Sequence, residues 1–184
     1  MCALIAPDSA IRSERGPLRV DAKLEEGFGH MLEAADALSA RAIVLQTPTD
    51  LTTGQRDRDL LSEYVARIPR SAERIVVWAP GGLWDPATAR RFAERLEIVS
   101  AVDPLDDEGL ASALAGSEIL YARVSSVGAR SRLSEPMLMR IRDATIASGA
   151  EEAFVAFDSA RAFRYATRVR ELIASAADDL GAEP

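Results

Sequence analysis

The chain has little of what most soluble catalysts use. Among its 184 residues there is one cysteine, Cys2, and one histidine, His30. A single cysteine excludes an intrachain disulfide and a zinc site built on several thiolates. A Ser–His–Asp triad would have to use His30, which lies inside a helical pattern, and no G-x-S-x-G elbow is present. Lysine is nearly absent too, with Lys23 its only instance, so arginine carries almost all the positive charge. Aromatic residues make up only 5% of the chain. No run approaches the roughly 20 apolar residues of a membrane span. The opening run MCALIAP is short and has no basic flank, so it does not read as a secretory signal, and the expected location is the cytoplasm.

The net charge is −7. An acidic whole argues against a mainly electrostatic grip on nucleic acid or on an anionic membrane. The hydrophobic and charged fractions, 48% and 28%, are those of an ordinary globular chain. The length suits one domain with one substantial core, and no linker or composition break interrupts residues 1–184.

Five short apolar runs are present: Ala42–Pro48, Arg74–Pro80, Ile98–Pro104, Glu118–Ser125 and Glu152–Asp158. Each ends in a polar or turn-forming residue and precedes a stretch of helical period. The spacing predicts helices over Asp21–Ala40, Thr53–Ile68, Asp85–Leu96, Asp106–Leu114, Ser134–Ala147 and Ser159–Ala176. Residues 1–20 read as a possible strand remnant, Met1–Ala6, followed by a loop from Pro7 to Pro17, and 177–184 as a frayed tail. Gly27 and Gly29 either permit close packing of the first long helix or break it. Strand alternating with helix over short connections predicts an α/β fold with parallel strands. The alternatives are a flavodoxin-like open sheet and a TIM-barrel-like (β/α) repeat.

In parallel α/β sheets, binding and chemistry gather at the C-terminal strand ends. Here those ends carry Gln46, Ala79, Asp103, Arg123, Ser125 and Asp158. Arg123 and Asp103 end consecutive strands, so they suit either an anion grip or a structural ion pair. Asp158 with Asp103 offers a carboxylate pair for acid–base work, although two carboxylates alone make a poor metal site. The alternative for Asp158 is the N-cap of the last helix. Gln46 either binds a ligand or ties down its turn. Trp78 and Trp84 flank Pro80–Gly81–Gly82 and either stack on a ring or pack in the core. Arg161, Arg164, Arg168 and Arg170, interleaved with Phe163, Tyr165 and Val169, read as an amphipathic helix with a charged outer face.

In order, the segments LEAADALSARAIVLQTP, IVVWAPGGLW, IVSAVDP, LYARVSSVG and AFVAFDSARAFRYATRVREL resemble the YecE-like family, known as domain of unknown function 72. The resemblance spans about residues 20 to 175. It implies a TIM-barrel-like fold, here an incomplete barrel of five or six strands. Gln46, Pro48, Trp84, Asp103, Arg123 and Phe157 match the family's pattern. The family's glutamate falls on Ala79 and its arginine on Gly81, its His–Gly on Ser125–Ser126, and its paired asparagines on Asp158–Ser159. Ala79 cannot move a proton and Ser125 cannot replace an imidazole near neutral pH.

Those substitutions favour a non-catalytic interaction or scaffold protein. Its open sheet edges would be covered by the N-terminal segment, by a second copy of the chain or by another protein. A hydrolase or nucleic-acid-processing enzyme using Asp103, Arg123 and Asp158 is the first alternative. A binder of small anions using Gln46, Arg123 and Trp84 is the second. No cofactor and no metal are expected.

Overall fold

The computed structural model describes residues 2–71, 73–106, 116, 118–125 and 132–181. The chain is α/β, and its contacts divide into two compact units, Met1–Ser100 and Ala101–Pro184. Six parallel strands pair in the order in which they occur along the chain. That is the topology of an incomplete TIM-barrel-like (β/α) repeat.

In the first unit, β1 (Ala3–Ile5) pairs with β4 (Ala42–Gln46), and β4 pairs with β5 (Ile75–Ala79). Val99 and Ser100 of β6 (Val99–Val102) continue this ladder beside Val77 and Trp78. Side chains alternate between faces along a strand. Ile43, Leu45, Val76 and Trp78 therefore pack on the helices, while Ala42, Val44, Val77 and Ala79 are buried on the opposite face. Burial on both faces is why these strands read as unbroken apolar runs. The helical layer comprises α2 (Ala22–Ala37), α3 (Gln55–Ala66) and α4 (Pro86–Arg95), which contribute Leu24, Phe28, Met31, Leu61, Tyr64, Val65 and Phe92.

The helix starts follow from local chemistry. The Asp21 carboxylate accepts the Leu24 N–H at the head of α2, and Asp85 accepts the Thr88 N–H at the head of α4. Such caps are each worth about 1 kcal/mol. Pro86 at the first turn of α4 has its φ preset for a helix. The bond from Leu24, with help from Glu14, holds the Asp21 carboxyl below its ordinary range.

The segment Pro7–Pro17 is not the loop expected from its proline and glycine. It forms a short helix, α1 (Asp8–Ile11), and a hairpin of β2 (Arg12–Ser13) and β3 (Gly16–Pro17). Tertiary bonds override the local punctuation. The Tyr64 hydroxyl donates to the Ala10 carbonyl at 2.6 Å, and Arg12 forks onto Asp50 at 2.9 and 3.2 Å. Gly27 is the point of closest approach, since a methyl group there would collide with the Ser9 carbonyl of α1. Gly29 faces open space, and α2 runs through both glycines without a break.

In the second unit, Ala101 and Val102 of β6 pair with Tyr121 and Ala122 of β7 (Ile119–Ser125). β7 in turn pairs along its whole length with β8 (Glu152–Asp158). Two helices cover one face, α5 (Glu135–Ala147) and α6 (Ala162–Gly181). Val124, Leu138, Ile141, Tyr165 and Val169 form the core between sheet and helices, with Val155 and Phe157 packed against it. α6 runs to Gly181, five residues past the expected end at Ala176, so 177–181 belong to the helix; 182–184 lie outside the described residues. The helix expected over Asp106–Leu114 falls almost wholly outside them as well. Within α6, Phe163 does not join the apolar stripe and is 87% exposed.

Candidate functional site

The strand ends of the first unit are closed by packing. After β4 the chain turns through Thr47–Pro48, and after β5 through Pro80–Gly81–Gly82. These two turns press together so closely that a methyl on Gly81 would strike the Thr47 carbonyl. Gly82, at φ +75°, would strike the Thr49 carbonyl and adopts a conformation that glycine tolerates best. The indole N–H of Trp78 donates to the Thr47 hydroxyl at 2.9 Å, and that of Trp84 to the Leu51 carbonyl at 3.2 Å. Trp84 meets Trp78 edge-on and stacks on Phe92, with the Arg58 guanidinium 5.4 Å from its ring centre. Both indoles thus serve the core. Gln46 stands opposite Ala79 in the ladder, half-buried, and among the described residues its amide has no side-chain partner.

The strand ends of the second unit carry the charged groups. Tyr121, Arg123 and Ser125 alternate with Leu120, Ala122 and Val124, so the first three share the face turned away from α5 and α6. Phe154, Ala156 and Asp158 occupy the same face of β8. Arg123 lies opposite Ala156, and its arm reaches two residues further to Asp158, closing an ion pair of 2.9 Å. The side chains are 31% and 58% exposed, so the pair is solvated and worth at most about 1 kcal/mol.

Asp103 was the partner read for Arg123 from sequence; the structure pairs that arginine with Asp158. Asp103 instead folds back on its own turn, its carboxylate accepting the Leu105 N–H at 2.9 Å. Asp158 is not the N-cap of α6, which starts at Ala162; there the Ser159 hydroxyl accepts the Arg161 N–H. Among the described residues, no three His, Cys, Asp or Glu side chains gather to hold a metal ion. Ser125 stands opposite Asp158 in the ladder.

Behind the ion pair lies an aromatic floor that the sequence reading passed over. Tyr121 and Phe154 are directly opposite one another and stack at 5.9 Å. Burial raises the Tyr121 phenol above its ordinary pKa, so it is a neutral hydroxyl at physiological pH. Parity alone would have found both residues. Tyr121 is two positions from Arg123, and Phe154 is four from Asp158. The site thus consists of a neutralised charge pair above two stacked rings. It can orient a polar group, but any anion must displace the Asp158 carboxylate from Arg123.

Comparison of the chain with protein-family models, with curated proteins and with solved structures finds no match. Among the described residues no helix is long and apolar enough to cross a membrane.

Proposed function

We propose that this chain is a non-catalytic interaction or scaffold module derived from a YecE-like TIM barrel, and that it pairs an open strand with another polypeptide, most simply a second copy of itself. The observation that carries this reading is the edge of β8. Its first residue, Glu152, donates its N–H to the Glu118 carbonyl beside β7. In a parallel ladder alternate residues bond the same neighbour, so Ala153, Val155 and Phe157 turn their N–H and C=O groups the other way. Among the described strands β8 has no second neighbour on that side.

Natural edges are usually blunted by proline, a bulge, a central charge or short length. β8 has seven residues, contains neither glycine nor proline, and carries charge only at its ends, Glu152 and Asp158. β1, at the other margin of the strand order, has three residues and leaves Ile5 exposed. The ion pairing of Arg123 by Asp158 also favours a structural rim over a site for hydrolysis or for a small anion. A cytoplasmic setting suits the free thiol of Cys2.

Sedimentation velocity of the whole chain at micromolar concentration tests the proposal. A dimer or larger assembly is expected, and Ala153→Lys, at an exposed position of β8, should shift it to monomer without loss of circular dichroism. A wild-type monomer purified with no partner would overturn the reading. So would an Ala153→Lys variant that assembles like the wild type.

A further inference from the structure

On the outer side of the second unit, between the start of α5 and the first turns of α6, a groove of about 710 Å³ is lined by four arginines and two glutamates. Its floor is apolar. Leu133, Leu138 and Tyr165 are buried, and the Tyr165 hydroxyl accepts the Leu133 N–H at 3.1 Å, which ties the floor together.

The charges on its walls divide into two sets. Arg168 bonds Glu135 and also reaches Glu171 at 3.2 Å, so both carboxylates are engaged. The Glu135 carboxyl is held below its ordinary pKa by the hydrogen bond from Arg168, which keeps it ionised in that pair. Arg132, Arg161 and Arg164 form no ion pair with any described residue. Phe163 stands among them with 87% of its surface exposed.

A protein of net charge −7 has acidic partners in excess for its arginines, yet these three are left open in one groove. Guanidinium groups match the oxygens of a phosphate, and several converging on one site suit a dianion better than a monoanion. An exposed phenyl ring beside them offers a flat apolar face for stacking. The volume lies within the range that encloses small molecules.

We infer that this groove binds a small organic phosphate that carries a flat ring, the phosphate held by Arg132, Arg161 and Arg164 and the ring laid on Phe163. The site is separate from the Arg123–Asp158 rim, lying on the helix side of the sheet, and does not depend on assembly through β8.

Isothermal titration with phenyl phosphate, inorganic phosphate and benzyl alcohol tests this on the whole chain. Phenyl phosphate should bind with a dissociation constant below about 1 mM, an affinity in the range of a few charged hydrogen bonds and one stacked ring. Inorganic phosphate should bind at least tenfold more weakly, and benzyl alcohol not measurably. Phe163→Ala should abolish the preference for phenyl phosphate over inorganic phosphate. Arg161→Gln with Arg164→Gln should weaken phenyl phosphate at least tenfold; all three positions are exposed, and unchanged circular dichroism establishes that the variants fold. Lowering the pH from 7.5 to 5 should weaken binding severalfold, because the second phosphate proton returns near pH 6 while arginine stays charged. No heat from phenyl phosphate at 10 mM would overturn the inference. Equal affinity in the double arginine variant, or equal affinity for phenyl and inorganic phosphate in the wild type, would overturn it as well.

Discussion

The two compact units of this chain use the same strand-and-helix repeat to opposite ends. In residues 1–100 the loops after β4 and β5 are pressed against each other, both indole N–H groups are bonded inward, and the strand ends are closed. In residues 101–184 the strand ends carry a solvated ion pair, an edge strand lacks a second neighbour among the described strands, and an arginine groove lies over the helices. A parallel sheet needs apolar cover on both faces, and the first unit meets that need almost everywhere. The second unit meets it mainly between sheet and helices, where Val124, Ile141 and Val169 lie. Polar groups that remain near water are cheap to keep and are the ones a ligand or partner can reach. At the strand ends, the charged groups of this kind lie in the second unit.

The largest expected effect tests the closed character of the first unit. Trp78 is fully buried and bonded to Thr47. Trp78→Ala should cost about 3–5 kcal/mol, from the cavity and from the hydroxyl left without its donor. Urea unfolding followed by the fluorescence of Trp84 reads the loss in the unit concerned, since both tryptophans lie in it. A cost below about 1 kcal/mol would mean that the strand ends of this unit are not sealed.

A smaller effect, of two signs, comes from one helix. Gly27→Ala should destabilise by about 1–3 kcal/mol, because the methyl meets the backbone of α1 and cannot be relieved by a rotamer change. Gly29→Ala should stabilise by about 0.5–1 kcal/mol, since its space is open and alanine is the better helix former. Denaturant midpoints of the two variants should lie on opposite sides of the wild type. If both moved the same way, close packing of α1 on α2 would not govern this region.

These residues also show how much the amino-acid order reveals. The five strands, their parallel arrangement and the helix start at Asp85–Pro86 were legible, because apolar runs and cap chemistry act over a few neighbours. The helix and hairpin inside Pro7–Pro17 were not. Their support comes from Tyr64 and Asp50, far along the chain. At the rim, alternation placed Arg123 at a strand end but could not tell which carboxylate its long arm would reach. Asp103 was equally near in topology, and its own turn claimed it. For Phe163, interleaving with arginines does not by itself say which apolar residues of α6 share a face. At 100° per residue Phe163 stands well over a quarter-turn from Tyr165 and Val169, which the helical wheel shows once those two are known to face the core.

The rim of the second unit should respond far less than the seal of the first. Arg123→Gln should lower stability by less than about 1 kcal/mol, because both partners are partly solvated and water replaces the lost pair. The difference from wild type should shrink further in 1 M salt, where the screening length is only about 3 Å. Thermal midpoints with and without salt check this. A loss of about 3 kcal/mol would instead mark Arg123 as the counterion of a carboxylate that the fold cannot leave unpaired, and the second unit would then be as closed as the first.

The subtlest prediction concerns acid, and it separates structural from available charge within the groove. Arg168 lowers the pKa of the Glu135 carboxyl, chiefly through their hydrogen bond. A carboxyl whose folded pKa is depressed contributes stability above its unfolded value of 4.5, and that contribution is lost as pH falls through the lowered folded value. Wild type should therefore exceed Glu135→Gln in thermal midpoint at pH 7, and the gap should close as the solution is taken below pH 4. Because the pair lies at the surface, the gap is expected to be small, and its pH dependence is the diagnostic feature. A gap that persisted unchanged at pH 3 would show that Glu135 acts by packing, not by charge. Arg168 would still be engaged by Glu171, and the open cations of the groove would remain Arg132, Arg161 and Arg164.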